Sequence, residues 1–363
     1  MVEKEDKKVT RVLFCGPHFP DSYNFTRDYL QPYPFIQADV AHLRDVPQVI
    51  KNYDICVTML MQMDSYVISR ASNMKLLMQF GVGLDGVDID AATKHGIKVA
   101  RIPSEGNGNA VSCSEMAIYL MLGLLKKQNE MKMSVQSRFL GQPTGGTLLG
   151  KTVFILGYGN IGIELAKRLK PFGSRVIATK RSWPVDSDSS LVDEKGSHED
   201  IYTFASKADI VVVCLRLSKE TAEIVDKKFI SSMKKGALLV NIARGGLVNY
   251  ESAYQSLESG HLGGLGTDVA WSEPFDPNDP ILKFKNVIMT LMSLELLSIH
   301  IGPWPRWSEM LPYNFMKDFL SPESNLLTDK IVLTRTKPCL RHTFCIVFYF
   351  TRVTEKLFVT SLY

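Results

Sequence analysis

No two cysteines in this chain stand at CxxC or any other metal-ligand spacing; Cys15, Cys56, Cys113, Cys214, Cys339 and Cys345 are scattered along its 363 residues. That spread argues against a zinc ribbon or a disulfide scaffold, and it predicts buried thiols in a reducing compartment. Long hydrophobic runs are also lacking. The apolar run from Cys345 to Phe350 is far too short to cross a bilayer, so no membrane association is expected. Met1 to Lys8 mixes acids and bases without an apolar stretch, which reads as neither a signal peptide nor a transit peptide. Net charge is small, only +4. Residues 330–363 hold six basic side chains and one acid, a net of +5, so the rest of the chain is close to −1 (+4 less +5). The basicity belongs to the tail and makes no case for a nucleic-acid partner. A cytoplasmic globular protein is the expectation.

The chain is long enough for two domains, each with a core of its own. Short β-branched apolar runs alternate with helical patterns, which predicts parallel α/β architecture. Arg11–Cys15, Tyr53–Val57, Leu76–Gln79 and Ile97–Ala100 are the candidate strands of a flavodoxin-like first domain over residues 1–125. One long helix is expected over 112–127, with Ser112 as N-cap and Glu115 closing a capping box. Apolar on more than one face, that helix suits a domain boundary or a homodimer interface. Residues 126–290 then carry six candidate strands in the rhythm of a doubly wound sheet: Val153–Leu156, Arg175–Ala178, Ile210–Cys214, Leu238–Ile242, Leu265–Val269 and Val287–Thr290.

The first of these strands runs into Gly157-Tyr158-Gly159-Asn160-Ile161-Gly162, followed by Ile161, Leu165 and Leu169 at helical spacing and Gly173 at the helix end. A GxGxxG in that setting is the fingerprint of a Rossmann dinucleotide site. Its glycines allow a tight turn, close approach of a pyrophosphate and close helix–strand packing. Twenty residues on, an NAD enzyme carries an acid for the ribose 2′-hydroxyl. Here the strand ends in Thr179-Lys180-Arg181-Ser182. Two cations and two hydroxyls in place of the acid suit a 2′-phosphate, so NADP is favoured over NAD.

From about Leu76 to Thr290 the chain resembles the D-isomer-specific 2-hydroxyacid dehydrogenases, in particular their plant phosphoglycerate-dehydrogenase-like members. The resemblance is carried by Gly81-Val82-Gly83-Leu84-Asp85, by Asn109 to Glu115, by the glycine turn, by Met233 to Val248 and by Asp268 to Pro274. It implies that Arg244 holds the carboxylate of a 2-oxo acid and polarises its ketone, which a guanidinium fork suits. Glu273 is implied as the acid that pairs with a catalytic histidine, and the backbone of Val82 and Gly83 as a carboxylate-binding turn. Leu215, Ala243 and Asp268 are implied to line the nicotinamide. Arg216 stands where the family usually has proline. The implied substrates are small 2-oxo acids such as glyoxylate or hydroxypyruvate.

The histidine should follow Thr290 within Thr-Pro-His; the chain reads Thr290-Leu291-Met292. Back-translating from Leu291 and restoring one base yields Pro-His-Val-Ala-Gly and a family-like C-terminal helix, and the single codons of Met292, Trp304, Met310 and Met316 all agree with it. Residues 291–329 therefore read as a frameshift or altered splice junction, and 330–363 as translation past the usual stop. His300 straddles two codons of the restored frame, so it is an accidental histidine. The tail 291–363 is expected to pack poorly, and the chain to be an impaired reductase. The alternative is a dinucleotide-sensing interaction protein with negligible turnover. Sequencing the coding DNA across Thr290 checks this reading: a neighbouring frame should encode Pro-His-Val-Ala-Gly, and its absence would sink the idea.

Overall fold

The structure is a computed structural model that describes residues 9–16, 20–59, 61–102, 108–183, 189–272 and 275–290, with short strands at 331–332, 334–335 and 346–347. It divides into two compact units, one up to Gly106 together with the strand segments after 330, the other from Asn107 onward. Among the described residues no helix is long and apolar enough to cross a membrane.

In the first unit, strands β1 (Thr10–Cys15), β2 (Ile36–Ala41), β3 (Ile55–Thr58), β4 (Leu76–Gln79) and β5 (Lys98–Arg101) form a parallel sheet in the order β2-β1-β3-β4-β5. That order is flavodoxin-like, as expected. Helices α1 (Pro20–Leu30), α2 (Val46–Val49), α3 (Ser65–Ile68) and α4 (Ile89–Lys94) lie between the strands in sequence. The central strands β3 and β4 are buried throughout, as parallel strands covered on both faces must be. Strand β2 is not among the candidate strands. It is an edge strand whose Gln37 and Val40 are exposed, so it lacks the continuous apolar run that marks its neighbours. At the far edge β5 also pairs with Ile331–Val332. The rest of 291–363, and with it the expected loose tail, lies almost wholly outside the described residues.

The second unit starts with α5 (Asn109–Leu125) and α6 (Gln128–Gln136). Helix α5 begins three residues before the expected Ser112. Its N-cap is Gly108 in the left-handed region (φ 75°), and the Ser112 amide already donates to the Gly108 carbonyl. Ser112 is thus inside the helix, and the capping box with Glu115 does not form; Glu115 instead accepts from Arg168 at 3.4 Å. Leu120, Met121 and Leu124 of α5 are buried in the core of the second unit, although sequence pattern places this helix at the end of the first domain.

That core surrounds a parallel sheet of β6 (Thr152–Leu156), β7 (Arg175–Thr179), β8 (Glu194–Gly196), β9 (Ile210–Val213), β10 (Ala237–Asn241), β11 (Leu262–Thr267) and β12 (Val287–Met289). Its order is β8-β7-β6-β9-β10-β11-β12, the doubly wound arrangement with one more strand at its far edge. The strand missed from sequence is β8, three residues long and two of them charged. Helices α7 (Asn160–Leu169), α8 (Ile201–Lys207), α9 (Lys227–Ser232) and α10 (Tyr250–Glu258) complete the unit.

Asp209 ties the sheet together where its strands start. Its carboxylate accepts from the Thr152 amide at 2.8 Å and from Lys234 Nζ at 3.0 Å. Burial raises the pKa of Asp209, but the Thr152 amide and the Lys234 ammonium outweigh it, leaving the group below its ordinary value. Stability from this tie is therefore complete above the ordinary carboxylate range and is lost as pH falls through the lowered pKa. Asp209→Asn should cost about 1–2 kcal/mol at neutral pH, within the range for charge-assisted hydrogen bonds. Urea melts of parent and variant should converge as the pH drops below about 4, near the free Asp value; a gap of equal size at both ends would contradict this assignment.

Candidate active site

The glycine turn is built as its sequence demands. Gly157 has φ +104°, and a Cβ there would come within 2.9 Å of Leu215 and 3.0 Å of the Cys214 backbone. A Cβ on Gly162 would lie 2.9 Å from the Gly157 carbonyl oxygen. Those two positions are closed to any side chain. Gly159 is different: a Cβ there would meet nothing within 4 Å. It caps α7 without a side chain, so space is left open directly before the first-turn amides of Asn160, Ile161 and Gly162. An open cradle ahead of a helix N-terminus fits a dinucleotide pyrophosphate. Tyr158 is buried, and its amide donates to the Thr179 carbonyl at 2.9 Å, joining the turn to the end of β7.

Beyond β7, Thr179 is itself only 4% exposed, whereas Lys180 is half-buried and Arg181 and Ser182 are exposed. Trp183 joins this site without any motif to announce it. Its indole N–H donates to the Gly196 carbonyl at 2.9 Å, and its ring lies 5.1 Å from that of Tyr158. Lys180 donates its amide to the same carbonyl at 3.1 Å. The basic loop is thereby pinned to β8, which sets where its cations stand.

At the strand ends of β9 to β12 the remaining residues gather. Leu215 and Arg216 follow β9; the Arg216 carbonyl accepts from Thr221 Oγ1 at 2.7 Å. The buried Asn241 is a second residue that sequence pattern does not single out: its Nδ2 donates to the Arg244 carbonyl at 2.9 Å and its Oδ1 accepts from the Ala243 amide at 3.1 Å. This clasp turns the chain after β10 and leaves Arg244 extended (φ −148°, ψ 140°), with Nη1 donating to the Ala243 carbonyl at 2.7 Å. Gly245 is obligatory, since a Cβ would fall 1.9 Å from the Ala270 carbonyl oxygen. Asp268, 9% exposed, donates its amide to Asn241 and accepts from Thr290 Oγ1 at 2.5 Å. Cys113 of α5 senses both Asp268 and Arg244. Burial pushes its thiol up to about 11, with Asp268 adding and Arg244 opposing. Burial likewise raises Cys214. Both stay protonated at neutral pH and offer no thiolate base there.

Glu273 lies outside the described residues. Val82 and Gly83 belong to the first unit, directly after β4, where Arg101 Nη1 donates to the Val82 carbonyl at 2.7 Å. Among the described residues their own amides meet no acceptor, which leaves them suited to an anion. No group of three or more His, Cys, Asp or Glu side chains that could hold a metal ion occurs among the described residues.

Residues 118–291 match the family profile described as D-isomer specific 2-hydroxyacid dehydrogenase, NAD binding domain. The chain is 32% identical over 280 residues to a glyoxylate reductase of Thermofilum pendens, covering 75% of this chain and 80% of that protein. It is 34% identical over 254 residues to a D-3-phosphoglycerate dehydrogenase of Archaeoglobus fulgidus, but those residues make up 68% of this chain and only 46% of that longer protein. Among solved structures, the NAD-dependent formate dehydrogenase of Staphylococcus aureus in complex with NAD superposes with a TM-score of 0.69 at 25% identity, covering 79% of this chain and 91% of that one.

The two kinds of glycine should separate on mutation. Gly162→Ala should destabilise the fold by about 1–3 kcal/mol, the usual cost of overpacking. Gly159→Ala should leave the melt nearly unchanged yet weaken dinucleotide binding about tenfold or more, through the space the pyrophosphate needs. Thermal melts and fluorescence titration with NADPH and NADH measure both; unchanged affinity in Gly159→Ala would refute the cradle.

Proposed function

Because the chain belongs to the D-isomer-specific 2-hydroxyacid dehydrogenase family, we propose that it is a nicotinamide-dependent oxidoreductase of small 2-oxo and 2-hydroxy acids, impaired in this form. Glyoxylate or hydroxypyruvate is the substrate type. The carrying observation is Arg244, held extended at the end of β10 by Asn241 and by the contact that only Gly245 permits. Its planar fork supplies two parallel donors for a carboxylate and places positive charge beside the adjacent ketone oxygen. In the first unit, the backbone of Val82 and Gly83 is read as a carboxylate-binding turn. The glycine cradle, Leu215, Ala243 and Asp268 hold the dinucleotide. When bound, it supplies the hydride.

Reduction also needs a proton delivered to the developing alkoxide. Glu273 is the partner for a histidine that would deliver it, and the residues directly after Thr290 are Leu291 and Met292 rather than Pro-His. Cys113 is a thiol too weakly acidic to act readily in its place. Lys180 and Arg181, without an acid at the end of β7, favour NADP over NAD. A cytoplasmic homodimer completes the reading. The second reading, a dinucleotide-sensing interaction protein, is supported by the same pairing of an intact cradle with a missing acid–base group.

Hydroxypyruvate reduction with NADPH tests the main reading. A version carrying the restored Pro-His-Val-Ala-Gly frame after Thr290 should turn over about 10²–10⁴ times faster, the usual contribution of a general acid–base. Equal rates would show that the loss of the histidine is not what limits the chain. Lys180→Glu with Arg181→Glu should raise the Kd for NADPH by about 10–100-fold while changing NADH by less than about threefold. If both cofactors weaken alike, the 2′-phosphate assignment is wrong.

A further inference from the structure

A cavity of about 380 Å³ opens in the second unit where the strands of its sheet begin, at the opposite end from the glycine cradle. Its apolar lining includes Leu124, Leu238 and Ile288, each 8% exposed. Around them stand five lysines: Lys127, Lys151, Lys234, Lys235 and Lys285. Two acids also line it. Asp209 is taken up by the Thr152 amide and Lys234, leaving Glu130 against the other ammonium groups. Among the described residues Lys127, Lys235 and Lys285 make no ion pair.

Helix C-termini attract cations, and that accounts for Lys127 after α5 and Lys234 after α9. Lys151 and Lys285 have another setting. Lys151 stands in the lead to β6, where no helix ends, and Lys285 in the lead to β12, after the short 3-10 turn Pro280–Lys283. The walls that carry the lysines are fixed. Asn129 Nδ2 donates to the carbonyls of Lys285 at 3.1 Å and Val287 at 2.9 Å. Gly236, with φ +82°, donates its amide to the His261 carbonyl at 2.7 Å, and its own carbonyl sits where a Cβ on residue 263 would be. The Lys234–Lys235 turn is thus anchored to β11. Five ammonium groups against two carboxylates leave the recess with a positive balance, which favours an anion.

We propose that this cavity binds a small phosphomonoester, its phosphate held by Lys235, Lys285 and Lys127 and its apolar body resting on Leu124, Leu238 and Ile288. The volume is at the lower end of ligand cavities, enough for a phosphate carried on a single ring. The site is independent of the cofactor cradle and of the reading of turnover above.

Calorimetric titration of the full chain at about 0.15 M salt, where loose surface attraction is largely screened, tests it. Phenyl phosphate should bind at least about tenfold more tightly than inorganic phosphate, since burying the ring adds more than about 1.4 kcal/mol. Lys235→Glu with Lys285→Glu should weaken phenyl phosphate about tenfold or more, by removing charge-assisted contacts. Both positions are exposed, so the melt should not move. Lys180→Glu with Arg181→Glu should leave phenyl phosphate binding unchanged. The proposal is overturned if the ring adds nothing, if the cradle pair rather than the cavity pair controls binding, or if phenyl phosphate fails to bind. Binding that vanishes as the chain dimerises, followed by sedimentation, would assign the recess to a second copy and overturn it too.

Discussion

A contact with no side chain in it governs the second unit. The Gly157 carbonyl lies 2.9 Å from where a Cβ on residue 162 would stand, so the first strand can turn into its helix only because both positions are bare. That approach sets the distance between β6 and α7. The distance in turn puts the open space at Gly159 in front of the α7 amides, and it presses Tyr158 toward the end of β7. Leu215, beyond β9, closes on the same turn from the other side. The geometry of the cofactor cradle therefore depends on a backbone packing distance.

A parallel sheet sorts its chemistry by strand direction, and this one uses both ends. Groups at the strand exits are held by bonds within one exit, Asn241 to Arg244, and between neighbouring exits, Asp268 to Asn241 and Thr290 to Asp268. At the strand entries the half-buried carboxylate of Asp209 is matched by an amide and an ammonium, and further lysines line the same recess. Neither end depends on a side chain from the other.

Much of this is legible in the sequence because parallel strands in a covered sheet must be continuously apolar. Runs such as Ile210 to Val213 have no other good home, and pattern places most of them to within a residue or two, although β11 starts three residues before the expected Leu265. Edge strands escape that constraint. Ile36–Ala41 and Glu194–Gly196 carry polar residues on their free sides, and pattern passes over both. The start of α5 is misplaced because hydroxyl caps are recognisable and a left-handed glycine is not; Gly108 takes the role expected of Ser112. At the site, the glycine turn and the basic loop can be named from local pattern, and Arg244 from the family resemblance. Asn241 and Trp183 cannot. Their value lies in backbone carbonyls they reach only after folding, the Trp183 partner being thirteen residues away.

Thr290 is held twice, its amide by Thr267 and its hydroxyl by Asp268. The ladder of the sheet is therefore closed one residue before the family match ends. Thr290 is also the last residue of this unit that the structure describes. An exon boundary at this point would let one gene issue two products that share a nucleotide-binding body and differ in chemical competence.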